Sequence, residues 1–131
     1  VLLAAARGDE EVAAPTGAVA QATFDGDRLS VRVRCGDPLD AVVLRSYCIG
    51  AAHQALGWVR SEGIAVDEQG EPHDLTIRSF GILRAKDMPR VEVEIEHDAG
   101  PPVNGSDAVF AAVALAAWRA EGLQPEWPLH R

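Results

Sequence analysis

The chain has 131 residues, 47% hydrophobic and 24% charged, and a net charge of −8. That length supports one domain with a buried core. The acidic balance argues against a nucleic-acid or anionic-membrane partner, which needs clustered Lys and Arg, and no apolar run reaches the roughly eighteen residues of a membrane span.

Residues 1–16 read as a loosely ordered lead-in ending near Pro15, and residues 17–131 as the domain. The opening VLLAAARGDEEVAAP has no basic region before its apolar start, so it is too weak for a secretory signal and a cytoplasmic protein is expected. AVAQATF and LSVRVR are alternating runs joined by Asp25-Gly26-Asp27, a hairpin signature. In the second run Leu29, Val31 and Val33 face one way and Arg32 and Arg34 the other. Asp40 is placed to cap a helix over residues 41–62 with Gly63 as its stop. VDEQGEPHD reads as a polar turn, and LTIRSFGIL and VEVEIE as two more strands around Met88-Pro89. After the Gly/Pro loop HDAGPPVNG, the stretch from Ser106 to Glu121 predicts a second helix, with Trp127 packing down an irregular tail. The order ββαββα predicts an α+β domain, a small sheet with two helices on one face.

Cys35 and Cys48 form no CxxC and read as buried free thiols. A thiol enzyme built on Cys48 and His53 is a poor reading, because five residues apart on a helix they point away from each other. On a wheel of the first helix, Leu44, Tyr47, Cys48, Ala51, Ala52, Ala55, Trp58 and Val59 form one apolar face. Ser46, Gly50, His53, Gln54, Gly57, Arg60 and Ser61 gather opposite. Glycine inside a helix costs about 1 kcal/mol relative to alanine, so two on one face suggest close approach by another backbone or a flat ligand. Gln54 can donate and accept there. No second His, Cys or carboxylate stands at metal spacing from His53. The second place to look is PPVNGSDA, where amides open a helix N-terminus beside Asp107.

GDPLD, IGAAHQALGWVRSEGIAVDEQGEP, KDMPRVEVEIE and VNGSDAVFAAVALAAW, in that order and spacing, carry a resemblance. From about Ala18 to Leu123 the chain resembles the C-terminal part of the large, molybdopterin-binding subunit of the xanthine dehydrogenase/aldehyde oxidase family. The resemblance implies a molybdopterin-type cofactor lying against the first helix, with Gly50, Gln54 and Gly57 matching the family's small-residue pattern. Tyr47 and Ile49 fall where the family has a cofactor-bordering glutamine and a glutamate. Gly105 and Ser106 fall in the loop that carries the family's general base, Ser106 on the glutamate itself, with Asp107 one residue late. The implied cofactor-binding set is therefore Tyr47, Gly50, Gln54, Gly57, Gly105 and Ser106, with no catalytic residue.

The expected function is a stand-alone relative of that oxidoreductase domain, not catalytic alone. It would be a subunit of a split oxidoreductase or a non-catalytic descendant, with a protein partner or a second copy. The alternative is a protein–protein interaction module without cofactor, joined through the Gly50/Gln54/Gly57 face and exposed strand edges.

Overall fold

In the computed structural model, which describes residues 1–73 and 75–129, the expected hairpin pairs β2 (Val19–Asp25) with β3 (Arg28–Arg34) around Gly26-Asp27. Asp74, the end of the expected polar turn, and His130 and Arg131 of the tail lie outside the described residues. The period-two pattern of β3 is realised: Leu29, Val31 and Val33 are buried, while Arg28, Ser30, Arg32 and Arg34 are exposed. Each such aliphatic side chain contributes roughly 1.5–3 kcal/mol when fully buried, which sets the inner face of the sheet.

The 20-residue helix α2 (Ala41–Arg60) starts where expected, the Asp40 carboxylate accepting from Val42 N at 2.8 Å and Val43 N at 3.0 Å. It crosses the inner face, and the chain returns as β6 (Arg90–Ile95), parallel to β3. The second long helix, α4 (Ser106–Ala120), packs against α2 and β2. A single α+β domain with both long helices on one side of a mixed sheet is what the alternation of elements predicts. Trp127 packs down the tail, with ring centroids 4.5 Å from Trp58 and 5.3 Å from Trp118.

The structure departs from expectation in two segments. Within the expected lead-in, α1 (Leu2–Arg7) forms, and β1 (Glu11–Ala13) pairs antiparallel with the start of β2, giving the sheet order β1-β2-β3-β6. Val12 and Ala4 are buried against the core, so long-range burial orders a stretch too short to show a period.

The second departure is LTIRSFGIL, expected as a strand. It holds instead the short helix α3 (Ile77–Phe80), capped by Thr76 and ended by Gly81 at φ 84°. Its alternating apolar residues find no neighbouring strand, and Leu75 and Ile77 stand exposed. The preceding turn closes a separate two-stranded hairpin, β4 (Ala65–Val66) with β5 (Pro72–His73). Asp67 organises it by accepting from Gln69 N and Glu71 N, both at 2.9 Å.

Candidate functional site

Two loops are tied together at the ends of β3 and β6. The Asp98 carboxylate accepts from Gly36 N at 3.2 Å and Gly100 N at 2.9 Å, and Asp37 N donates to Gly100 O at 2.9 Å. Gly36 has φ +80°, and a Cβ there would stand 2.1 Å from Pro101 O, so only glycine lets the loops cross. Gly105 is buried, and a Cβ on it would meet Cys35 Sγ and Val33 Cγ2 at 3.2 Å. These close approaches bring the N-termini of α2 and α4 to one end of the sheet.

Between them lies a recess of about 470 Å³ lined by Cys35, Leu39, Asp40, Tyr47, Gly105 and Ser106 among others. The structure thus brings together three of the six expected site residues, Tyr47, Gly105 and Ser106. Asn104 orders the loop: its Oδ1 accepts from Ser106 N at 2.9 Å and its Nδ2 donates to Asp107 Oδ1 at 3.3 Å. Asp107 is exposed, and its carboxylate is turned to Asn104.

Tyr47, Gly50, Gln54 and Trp58, spaced i, i+3, i+7 and i+11, form one exposed stripe along α2. Nothing lies within 4 Å of the Cβ position of Gly50. The Gln54 amide makes no hydrogen bond among the described residues and borders a second cleft with His53, Trp58 and Phe80.

Gly57 is not on this stripe. The expectation that both glycines share one open face is corrected: Gly57 is buried, and the Glu62 side chain lies 2.2 Å from where its Cβ would stand. The chain after α2 folds back over this half of the face. His53 Nε2 meets Leu83 O at 2.8 Å, Ser61 Oγ donates to Gly81 O at 2.6 Å, and Gly63 N donates to Phe80 O at 3.0 Å. His53 therefore secures that segment, and it is Cys35 that reaches the recess.

Tyr47 and Trp58, read as part of the apolar face, are exposed, and Leu56 takes their place in the core. The cysteines are free and buried, as read. Burial, with Asp98 adding to it, pushes the Cys35 thiol up. Burial and then Cys35 push Cys48 up to about 11, Arg45 opposing. Both are thiols at neutral pH. Sequence reasoning missed Asp98 as the loop organiser, though an Asp two residues before a Gly is a turn signal. It also missed Arg45, whose guanidinium donates to Val93 O of β6. Among the described residues no group of His, Cys, Asp and Glu could hold a metal ion, and no helix is long and apolar enough to cross a membrane.

No family model matches the chain. Over 97 residues it is 28% identical to the gamma subunit of the 6-hydroxypseudooxynicotine dehydrogenase complex of Paenarthrobacter nicotinovorans, covering 69% of this chain. The chain spans 12% of the length of that curated relative. Reconstituted CO dehydrogenase from Oligotropha carboxidovorans shares the fold with a TM-score of 0.62 at 13% identity, covering 82% of this chain and 16% of that one. Quinoline 2-oxidoreductase from Pseudomonas putida 86 gives 0.61 at 16% identity, covering 88% and 16%. The Cu,Mo-CO dehydrogenase in its carbon monoxide reduced state gives 0.61 at 15% identity, covering 80% and 16%. The chain has the fold of one segment of these three larger solved chains, and its curated relative is a subunit of a dehydrogenase complex.

Proposed function

We propose that this chain is a relative of the molybdopterin-binding C-terminal region of the xanthine dehydrogenase/aldehyde oxidase family, and that it works within a larger protein assembly without being catalytic alone. The carrying observation is the uncovered N-terminal half of α2. Leu39 just before it is 94% exposed, Val42 75% and Tyr47 64%, beside the recess. Large apolar side chains grouped in this way mark a surface that other polypeptide or a ligand covers.

The residues present fit a flat, polar-edged ring. Gly50 lets a planar group reach the helix backbone, Tyr47 borders that position, and the Gln54 amide offers both a donor and an acceptor in one plane. Gly105 and Ser106 line the recess together with Tyr47, while Gly50 and Gln54 lie further along the stripe, Gln54 at the second cleft. Gly57, covered by Glu62, has no part in it. A molybdopterin-type cofactor, when bound, supplies the two-electron redox chemistry of such an oxidoreductase.

What the recess lacks, among the described residues, is an available base. General-base catalysis speeds a proton transfer by about 10²–10⁴-fold and needs a group within hydrogen-bond reach that ionises near the working pH. The recess offers the Ser106 hydroxyl, the Cys35 thiol kept neutral by burial, and Asp40, whose carboxylate is engaged in capping α2. Asp107 is bound to Asn104.

Elemental analysis for molybdenum, with detection of a fluorescent pterin after acid oxidation, tests the binding. The expected result is both signals, lost in Gly50→Leu while circular dichroism shows the fold intact. No turnover of purines or aldehydes with a dye acceptor is expected, and Ser106→Glu is the change that restores a carboxylate. Turnover by the unmodified chain would overturn the non-catalytic reading.

A second reading, an interaction module without cofactor, is favoured by Ile64, Val66, Leu75, Ile77 and Ile82, all exposed on the segment after α2. Absence of metal and pterin together with a concentration-dependent dimer by light scattering would select it.

A further inference from the structure

Among the described residues, most backbone groups on the outer edge of β6 have no protein partner. Arg90 N bonds Asp27 O at 3.0 Å and Glu96 N bonds Val33 O at 2.8 Å, so Arg90, Glu92, Glu94 and Glu96 turn their backbone groups toward β3. The alternate residues Val91, Val93 and Ile95 consequently turn theirs outward. Their N–H groups, and the carbonyls of Val91 and Ile95, find no protein partner among the described residues. The sixth group, Val93 O, is held by Arg45 from α2. β6 is the last strand in the sheet order, and its ladder carries neither a proline nor a bulge to blunt the edge.

Charge restricts what can pair there. The outer face of β6 presents Arg90, Glu92 and Glu94, with Glu96 just past its end; the three glutamates meet Arg28, Arg32 and Arg34 of β3 at 3.4–3.6 Å, and Arg90 meets Glu92 at 3.3 Å. A second copy of β6 paired antiparallel about Val93 would set Glu92 directly opposite Glu94, which destabilises the pair, and would offer only Arg90 opposite Glu96 in return. A strand patterned like β3, RLSVRVR, would set cations against the glutamates and apolar residues toward the helix side.

We propose that this edge receives an extended strand of a partner polypeptide, alternating basic and apolar residues, and that Arg45 is a placeholder the strand displaces from Val93 O. Main-chain hydrogen bonds would supply the affinity and the glutamate row the selection. The site shares no residue with the recess, so it stands or falls separately from cofactor binding.

The test is titration of the ¹⁵N-labelled full chain with the capped peptide Arg-Leu-Ser-Val-Arg-Val-Arg and with its analogue carrying Glu for every Arg. Saturable shifts are expected at the Val91, Val93 and Ile95 amides and the Arg45 Nε, with the basic peptide only, while Val12 on the opposite edge strand stays unmoved. Glu94→Lys, at an exposed position, should weaken binding roughly two- to fivefold, the worth of one surface ion pair. Arg45→Ala should tighten it about fivefold by removing a competing hydrogen bond. Equal binding of both peptides, shifts elsewhere, or no shift at millimolar peptide would overturn the proposal, as would weaker binding by Arg45→Ala.

Discussion

The C-terminal half of α2 buries Ala51, Ala52, Ala55, Leu56, Gly57 and Val59, whereas in the N-terminal half Cys48 alone is buried and Val42, Val43, Tyr47 and Ile49 stand exposed. Both halves are rich in apolar residues, so the helix sequence does not cause the difference. The covering does. α4 packs along the helix and residues 61–73 and 75–84 fold back beside its second half, secured by His53 and Ser61, while no described residue covers the exposed side of the first. An apolar half-helix left open beside a recess is a place for something other than this chain, and the closed half is scaffold.

The largest effect should come from truncating each half in turn. Leu56→Ala, at a fully buried position, is expected to cost about 2–5 kcal/mol in chemical denaturation. Val42→Ala, on the open half, should stay within about 0.5 kcal/mol. If Val42→Ala costs as much as Leu56→Ala, the open half is buried in solution and the comparison fails.

Next in size is the pH response of the boundary residue. Cys48 has its pKa raised in the fold, from 9.0 to about 11, so the folded state holds the proton more tightly than the unfolded chain. Its contribution is fully present below pH 9 and is lost as pH rises toward 11. On the order of 2 kcal/mol of stability should disappear over that window. Cys48→Ala, compared with the unmodified chain at each pH, should flatten that part of the profile; an unchanged slope would count against burial as its cause.

The smallest effect compares the two glycines. Gly50→Ala meets open space and should raise stability by up to about 1 kcal/mol through helix propensity. Gly57→Ala must first displace the Glu62 side chain and should gain clearly less. Thermal melts of the two variants decide it, and equal gains would mean that Glu62 does not cover Gly57.

Most of the frame was legible because its signals are local. The period-two runs around Gly26 gave the hairpin, Asp40 gave the start of α2, and Ser106 the start of α4. LTIRSFGIL was misread because alternation predicts a strand only if another strand is present to pair with it. Here the Thr76 cap and Gly81 prevailed. The candidate site was half legible. Gly50 and Gln54 stand exposed as the wheel suggested and Ser106 lines the recess with buried Gly105, but Tyr47 is exposed although the wheel put it on the apolar face, and Gly57 is covered.

By itself the sequence determined the α+β class, the inner face of β3 and the helix that carries the site, since periodicity and capping act over a few residues and are written in them. The tertiary structure decided which end of α2 stays open, which loops meet through Asp98, and which strand edge is left unpaired. Those outcomes depend on where distant segments come to rest, and local residue patterns do not encode contacts between positions such as Gly36 and Asp98, 62 residues apart.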